Sequence, residues 1–281
     1  MNLREPGLPP GWYPSDADVI GEFLGPFEKV RATSTSGLFA SALAAIAPHA
    51  GWHFSGQLAA LAIAALIPNV ETVVVIGGHL SRGMPVLTAA EDAVKTPLGN
   101  IMIDRELRQG FQKHVDLLPD RYTDNTVETL LPMVRYFFPK SKLLWLRFPA
   151  LISSYEAGKL LAFSAGHLNR SIAVIASTDL THYGDNFGFS PKGRGKAALE
   201  WVKNINDASF IRAVLKRDPH HVLWHAEKDR SSCSVGAVLG ALGFASARDK
   251  KPKLLEYHTS ADVSKEENPS SFVGYAAFSM V

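Results

Sequence analysis

Imidazole and thiol groups bind transition metals and move protons near neutral pH. Four of them stand at informative positions in this chain. His49 follows the apolar run AAIAP, His79 follows VVVIGG, and His182 lies three residues beyond Asp179, after AVIAST. In open α/β sheets ligands gather beyond the carboxyl ends of strands. Three apolar runs ending this way bring their imidazoles together if the strands are neighbours. Gly77 and Gly78 favour a sharp strand exit and a close backbone approach just before His79. With ten histidines in the chain, one strand-end histidine is more often structural than functional. Three at equivalent ends shift that balance.

Cys233 is the only cysteine, so no intramolecular disulfide forms. Within DRSSCSVGAVLGALG it marks the start of a small-residue apolar helix. In a first helical turn the macrodipole favours thiolate, the metal ligand and nucleophile. A buried, inert thiol is the equal alternative. Two histidines and one thiolate would form a facial set with open positions, softer than the usual two-histidine, one-carboxylate iron triad. Copper or zinc therefore stand beside iron. His53 gives His49 a His-x-x-x-His spacing. The zinc-protease pattern needs a helix and a glutamate after the first histidine, whereas Ala50 follows His49, Pro48 precedes it and Gly51 interrupts. His53 reads as a loop residue, either a bystander or a pocket wall.

The elements that must position these groups are legible in outline. Residues 71–78, 142–148, 171–178 and, less clearly, 38–48 read as strands covered on both faces. SGQLAALAIAALIP reads as a deeply packed helix with Ser55 as N-cap and a stop before Pro68. VETLLPMVRYFFP, SSYEAGKLLAFSAGHL and two segments within 192–225 read as further helices. The last stretch, from Lys251, reads as two antiparallel strands joined by a polar loop. The expectation is a single layered α/β domain over 1–281, its central mixed sheet flanked by helices.

Composition narrows the function. The 281 residues are 46% hydrophobic and 20% charged, with a formal net charge of +2, an ordinary globular balance that argues against a nucleic-acid partner. The run from Gly37 to Val75 is broken by Pro48, His49, His53, Gln57, Pro68 and Glu71, short of the roughly 18–20 clean apolar residues of a membrane span. MNLREPGLPPGWYP lacks the features of a signal peptide. A cytoplasmic protein is expected.

GWYP, PHAGWHFSG, VVVIGGHL, KTPLGNIMID, VETLLP, STDLTHYG, the Cys233 helix start, and YHTSADV followed by FVGYAAF occur in that order over nearly the whole chain. Together they resemble the Memo (mediator of cell motility) family, whose prokaryotic members are named AmmeMemoRadiSam system protein B. The resemblance implies a fold like that of the class III extradiol non-haem iron dioxygenases. It implies a metal pocket with His49 and His79 as ligands, Cys233 in place of the dioxygenase glutamate, and His182 as acid/base or fourth ligand. Asp179 would orient a histidine. Fe(II) is the first metal expected, with copper or zinc as alternatives. The family name also implies association with radical-SAM and AMMECR-type proteins.

The chain departs from the family at DNTVE (124–128), where Asn125 replaces a histidine while Glu128 is kept. It departs again at Cys233-Ser234 and at Ala261. Asn125, Glu128 and Arg82 are further pocket candidates. Three functions are compatible with this pattern: dioxygenase-like redox chemistry on an unknown small-molecule or peptide substrate, a non-catalytic adaptor that binds phosphopeptide through Arg82, and hydrolysis by metal-activated water or by Cys233 with His182 as base.

Overall fold

The computed structural model describes residues 1–33 and 40–281. Helix α1 (Ala17–Thr33) is followed by β1 (Ala44–Ala47), α2 (Trp52–Ala64), β2 (Thr72–Leu80), β3 (Val86–Thr88), α3 (Arg105–Gln112) and β4 (Leu117–Pro119). Two short helices, α4 (Asn125–Glu128) and α5 (Leu131–Phe137), lead to β5 (Lys142–Pro149), α6 (Ser153–His167), β6 (Ile172–Ser177) and β7 (His182–Gly184). Then come α7 (Lys196–Trp201), a π-helical turn (Val202–Asn206), α8 (Asp207–Leu215), α9 (Pro219–Lys228), α10 (Val235–Ala247), β8 (Pro252–Thr259), α11 (Ser260–Ser264) and β9 (Ser271–Met280).

The strands form one mixed sheet in the order β7-β9-β1-β6-β2-β5-β3-β4, with β8 also paired to β9. Its centre, β1-β6-β2-β5, is parallel, while β9 and β3 run antiparallel to their neighbours β1 and β5. Three two-residue strands make a small separate sheet. Alternation along β2 sends Val74 and Ile76 into the core beneath α6 and α10, and Val73 and Val75 into the core beneath α1 and α2. All four are fully buried, which explains the unbroken apolar run: both faces of this strand are covered. On one side α6 and α10 touch through glycines. A Cβ at Gly158 would strike the Gly240 carbonyl, and one at Gly243 the Tyr155 carbonyl.

Two boundaries differ from expectation. The strand expected over 38–48 is confined to Ala44–Ala47, and residues 38 and 39 lie outside the described residues. Helix α2 begins at Trp52, not at Ser55. The Trp52 N–H is capped by the carbonyl of Trp12, a partner forty residues away, and Ser55 is an interior residue whose hydroxyl donates to the Ala50 carbonyl. Among the described residues no helix is long and apolar enough to cross a membrane.

Candidate metal centre

The sheet order makes β1, β6 and β2 consecutive neighbours, so their carboxyl ends converge. His49 lies two residues past β1, Asp179 two past β6, and His79 at the penultimate position of β2. His79 adopts φ 57°, a left-handed conformation rare outside glycine. It sits where the register between β2 and β5 shifts after Gly77. Neither preceding glycine tolerates a side chain. A Cβ at Gly77 would meet Thr126 and Val127 of α4, and one at Gly78 would meet Ser234. The bulge therefore turns His79 out of the strand and onto the cluster.

His49, His79 and Cys233 form a group whose ligand atoms all lie within 4.8 Å of one another. The His49 Nε2 is 3.3 Å from the Cys233 Sγ, and the two imidazole rings stand edge to face with centroids 5.0 Å apart. A bound ion holds such ligand atoms about 3–4 Å apart, so small side-chain rotations close the site. Each histidine is oriented through its other nitrogen. His49 Nδ1 pairs with the Ser177 hydroxyl at 2.8 Å, and His79 Nδ1 donates to Asp124 Oδ2 at 3.0 Å. Both Nε2 atoms are thereby left for a ligand, the arrangement found around metal-bound imidazoles. Buried Arg147 supports it, pairing with Asp124 and Asp120 and donating to the Gly78 carbonyl.

Asp179 is buried beside His49, its Oδ2 3.9 Å from the His49 Nε2. Its Oδ1 accepts the His49 backbone N–H at 2.8 Å, and its own N–H donates to the Cys233 Sγ at 3.3 Å. It ties the β1 and β6 ends to the cysteine, while Ser177 is the partner of the His49 Nδ1. Cys233 lies just before the Ser234 N-cap of α10, not within its first turn. Burial alone would push its thiol up. Charged His49 and the hydrogen bonds from His49 and His79 instead hold it well below the usual thiol range. Burial likewise opposes charge on His79, but Asp124 and Cys233 raise it to about 10. Buried His49 is raised by Asp179 and Cys233. Asp124 is held well below the carboxylate range despite burial, by His79, Thr126 and Arg147. Without metal, the cluster is a thiolate facing imidazolium.

His182 opens β7 beside the cluster. Its Nδ1 is 3.1 Å from the Leu180 carbonyl and must carry the proton, since a carbonyl only accepts. In the neutral ring Nε2 is then the accepting atom. The loop behind it is held by the π-helical turn. Asp207 accepts the Thr181 N–H, the Thr181 hydroxyl and the Tyr257 hydroxyl. Asn206 donates to the Thr181 hydroxyl and to the Asp229 carbonyl, on the loop that leads to Cys233.

His182 and Phe187 separate two clefts. One, of about 410 Å³, is lined by His79, Cys233, Ser232 and Arg230 among others. The other, of about 450 Å³, is walled by Trp12, Phe54 and Tyr275, with Asn125 and Asp179 as its polar members. Asn125 also donates to the His49 carbonyl.

Three residues expected near the pocket lie elsewhere. Glu128 turns to the N-terminal segment, accepting the Gly7 and Leu8 N–H groups and the Tyr13 hydroxyl. Arg82 is exposed and pairs with Glu227. His53 is exposed in the first turn of α2, edge-on to Phe54. Sequence reasoning missed Asp124, Ser177, Arg147 and Arg230. Asp124 alone left a trace, as an N-cap residue directly before α4.

A family model described as Memo-like protein matches residues 4–279. The chain is 30% identical to a MEMO1 family protein of Pyrococcus abyssi (strain GE5 / Orsay), with 99% of each chain covered. It is 31% identical to one of Methanopyrus kandleri, covering 83% of this chain and 81% of that one. Among solved structures, an uncharacterized protein of Escherichia coli K12 aligns with 12% identity and a TM-score of 0.49, over 84% of this chain and 98% of that one.

Proposed function

The chain belongs to the Memo-like protein family, and from that premise we propose that His49, His79 and Cys233 hold a single metal ion, Fe(II) first, in a centre of dioxygenase-like redox chemistry. The observation that carries this reading is the pairing of both Nδ1 atoms, with Ser177 and with Asp124, which leaves two Nε2 atoms beside one thiolate. A resident ion would supply Lewis acidity and, as iron, access to dioxygen chemistry.

The chain's own residues have distinct tasks. Asp124 keeps His79 in the tautomer that presents Nε2, and Arg147 keeps Asp124 ionised. Asp179 fixes the His49 loop against Cys233. His182, with its Nδ1–H committed to Leu180, takes a proton from substrate at Nε2. The two clefts on either side of it admit substrate.

Metal analysis of protein purified anaerobically without a histidine tag tests the proposal. About one equivalent of iron is expected, with Cys233→Ala and His79→Ala each depleted of it. Absence of iron, copper and zinc, with no uptake on reconstitution, would overturn it. Oxygen uptake tests the redox part: consumption that depends on substrate and is lost in His182→Ala supports it.

A further inference from the structure

We propose that the cleft beside Cys233 carries an anion subsite built on Arg230, and that the substrate is a small organic anion with an apolar body. This deepens the proposed function and rests on the reading of the strand-end cluster as a reaction centre.

The charges decide the sign. The cleft lining holds one permanent cation, Arg230, and no carboxylate. The two acids that precede Arg230 in sequence are engaged elsewhere, Asp229 by His225 and Glu227 by Arg82. Arg230 is also held in place. Its guanidinium donates to the carbonyls of Gly188 and Phe187 at 2.8 and 3.0 Å and lies over the Phe189 ring at 5.1 Å. Two of its five N–H donors are thereby used. The remaining ones are fixed without the entropy cost that a free arginine pays on binding. Arg230 itself has φ 50°, so the backbone bends where this side chain enters the cleft. Ser232 lines the same cleft but donates its hydroxyl to Thr178 at 2.8 Å, since Thr178 gives its own hydrogen to the Asp179 carbonyl.

The neighbouring cleft is where the aromatic side chains gather, beside Asn125 and Asp179. Trp12, Phe54 and Tyr275 give it apolar walls, and it shares His182 and Phe187 with the first. One ligand can therefore place its charged end by Arg230 and its apolar end between the rings, passing His182. Each cleft is about 400–500 Å³, the size of a small-molecule site.

The test is calorimetric titration of the purified protein with benzoate, phenyl phosphate and benzyl alcohol, with metal content measured on the same samples. Benzoate or phenyl phosphate should bind at least about tenfold more tightly than the neutral alcohol, the worth of a charge-assisted hydrogen bond. The tighter of the two distinguishes carboxylate from phosphate. Arg230→Gln should abolish the preference, Arg230→Lys should retain part of it, and Phe54→Ala should weaken all three probes alike. Equal binding of acid and alcohol, no effect in either Arg230 variant, or no binding of any probe would overturn the proposal. The lysine variant keeps the test decisive if the glutamine variant fails to fold. A missing metal would show in the metal analysis and not in the charge preference, so the two readings fail separately.

Discussion

Asp124 is the side chain on which the cluster's order most depends. It accepts from His79, pairs with Arg147 and caps α4. Outer partners of this kind are worth roughly 10–100-fold in metal affinity, so Asp124→Asn should weaken metal uptake by that much in a competition titration, while the fold survives. The pH dependence follows from the same contacts. Metal-free His79 holds its proton up to about pH 10, and Cys233 is already thiolate well below its usual range. An incoming ion must displace the histidine protons, so affinity should fall as pH drops. Calorimetry in buffers of different ionisation enthalpy should record net proton release, and no release at neutral pH would contradict the picture. His49, His79 and Cys233 were legible in the sequence because apolar strands and a helix start announce them. Asp124 was not, because its neighbour in space is 45 residues away and its local role is only that of a cap.

Among the elements, the π-helical turn is one that no periodicity reveals. One extra residue in the helical turn lets Asn206 and Asp207 both face the core, where they grip the loops leading to His182 and Cys233. Burial raises Asp207 to about 6, against the hydrogen bonds that favour its charge. The folded state therefore binds this proton more tightly than the unfolded chain does. The stabilisation is full below about pH 4 and is lost as pH rises through about 6. The shift corresponds to about 3 kcal/mol. Asp207→Asn should flatten the urea-unfolding stability between pH 4 and 7, where the wild type declines. A variant whose profile parallels the wild type would show that Asp207 is not the titrating group. The long parallel strands were readable because both their faces are buried. The three-residue β3 and β4 were not, since so short a run carries no pattern. The start of α2 was misplaced because its cap is the distant carbonyl of Trp12.

Over the whole molecule, the N-terminal segment reaches the site from outside the large sheet. It supplies Trp12 to the aromatic cleft and is tied down by a two-residue strand pairing at Leu3–Arg4, by Arg4, which donates to the Asp120 and Tyr122 carbonyls, and, between residues 7 and 13, by the Glu128 carboxylate. Glu128→Ala removes three hydrogen bonds to a charged acceptor, a local cost of about 2–4 kcal/mol. Limited proteolysis should then cut before residue 16 while the sheet and bound metal persist. Global unfolding in that variant would show that the segment is part of the core.

The layered α/β class and its mixed sheet were legible as a whole, and so was the convergence of strand ends, once order was assumed. The order itself was not, since pairing of β1 with β9 joins residues more than two hundred positions apart. That pairing also sets a sequence in time. On a ribosome, the strand that leads to His49 emerges more than two hundred residues before its β9 partner, and Cys233 emerges 184 residues after His49. Until Cys233 is made the two histidines have no thiol beside them, so the three-residue cluster cannot form on a shorter chain, however well β1, β6 and β2 have already paired.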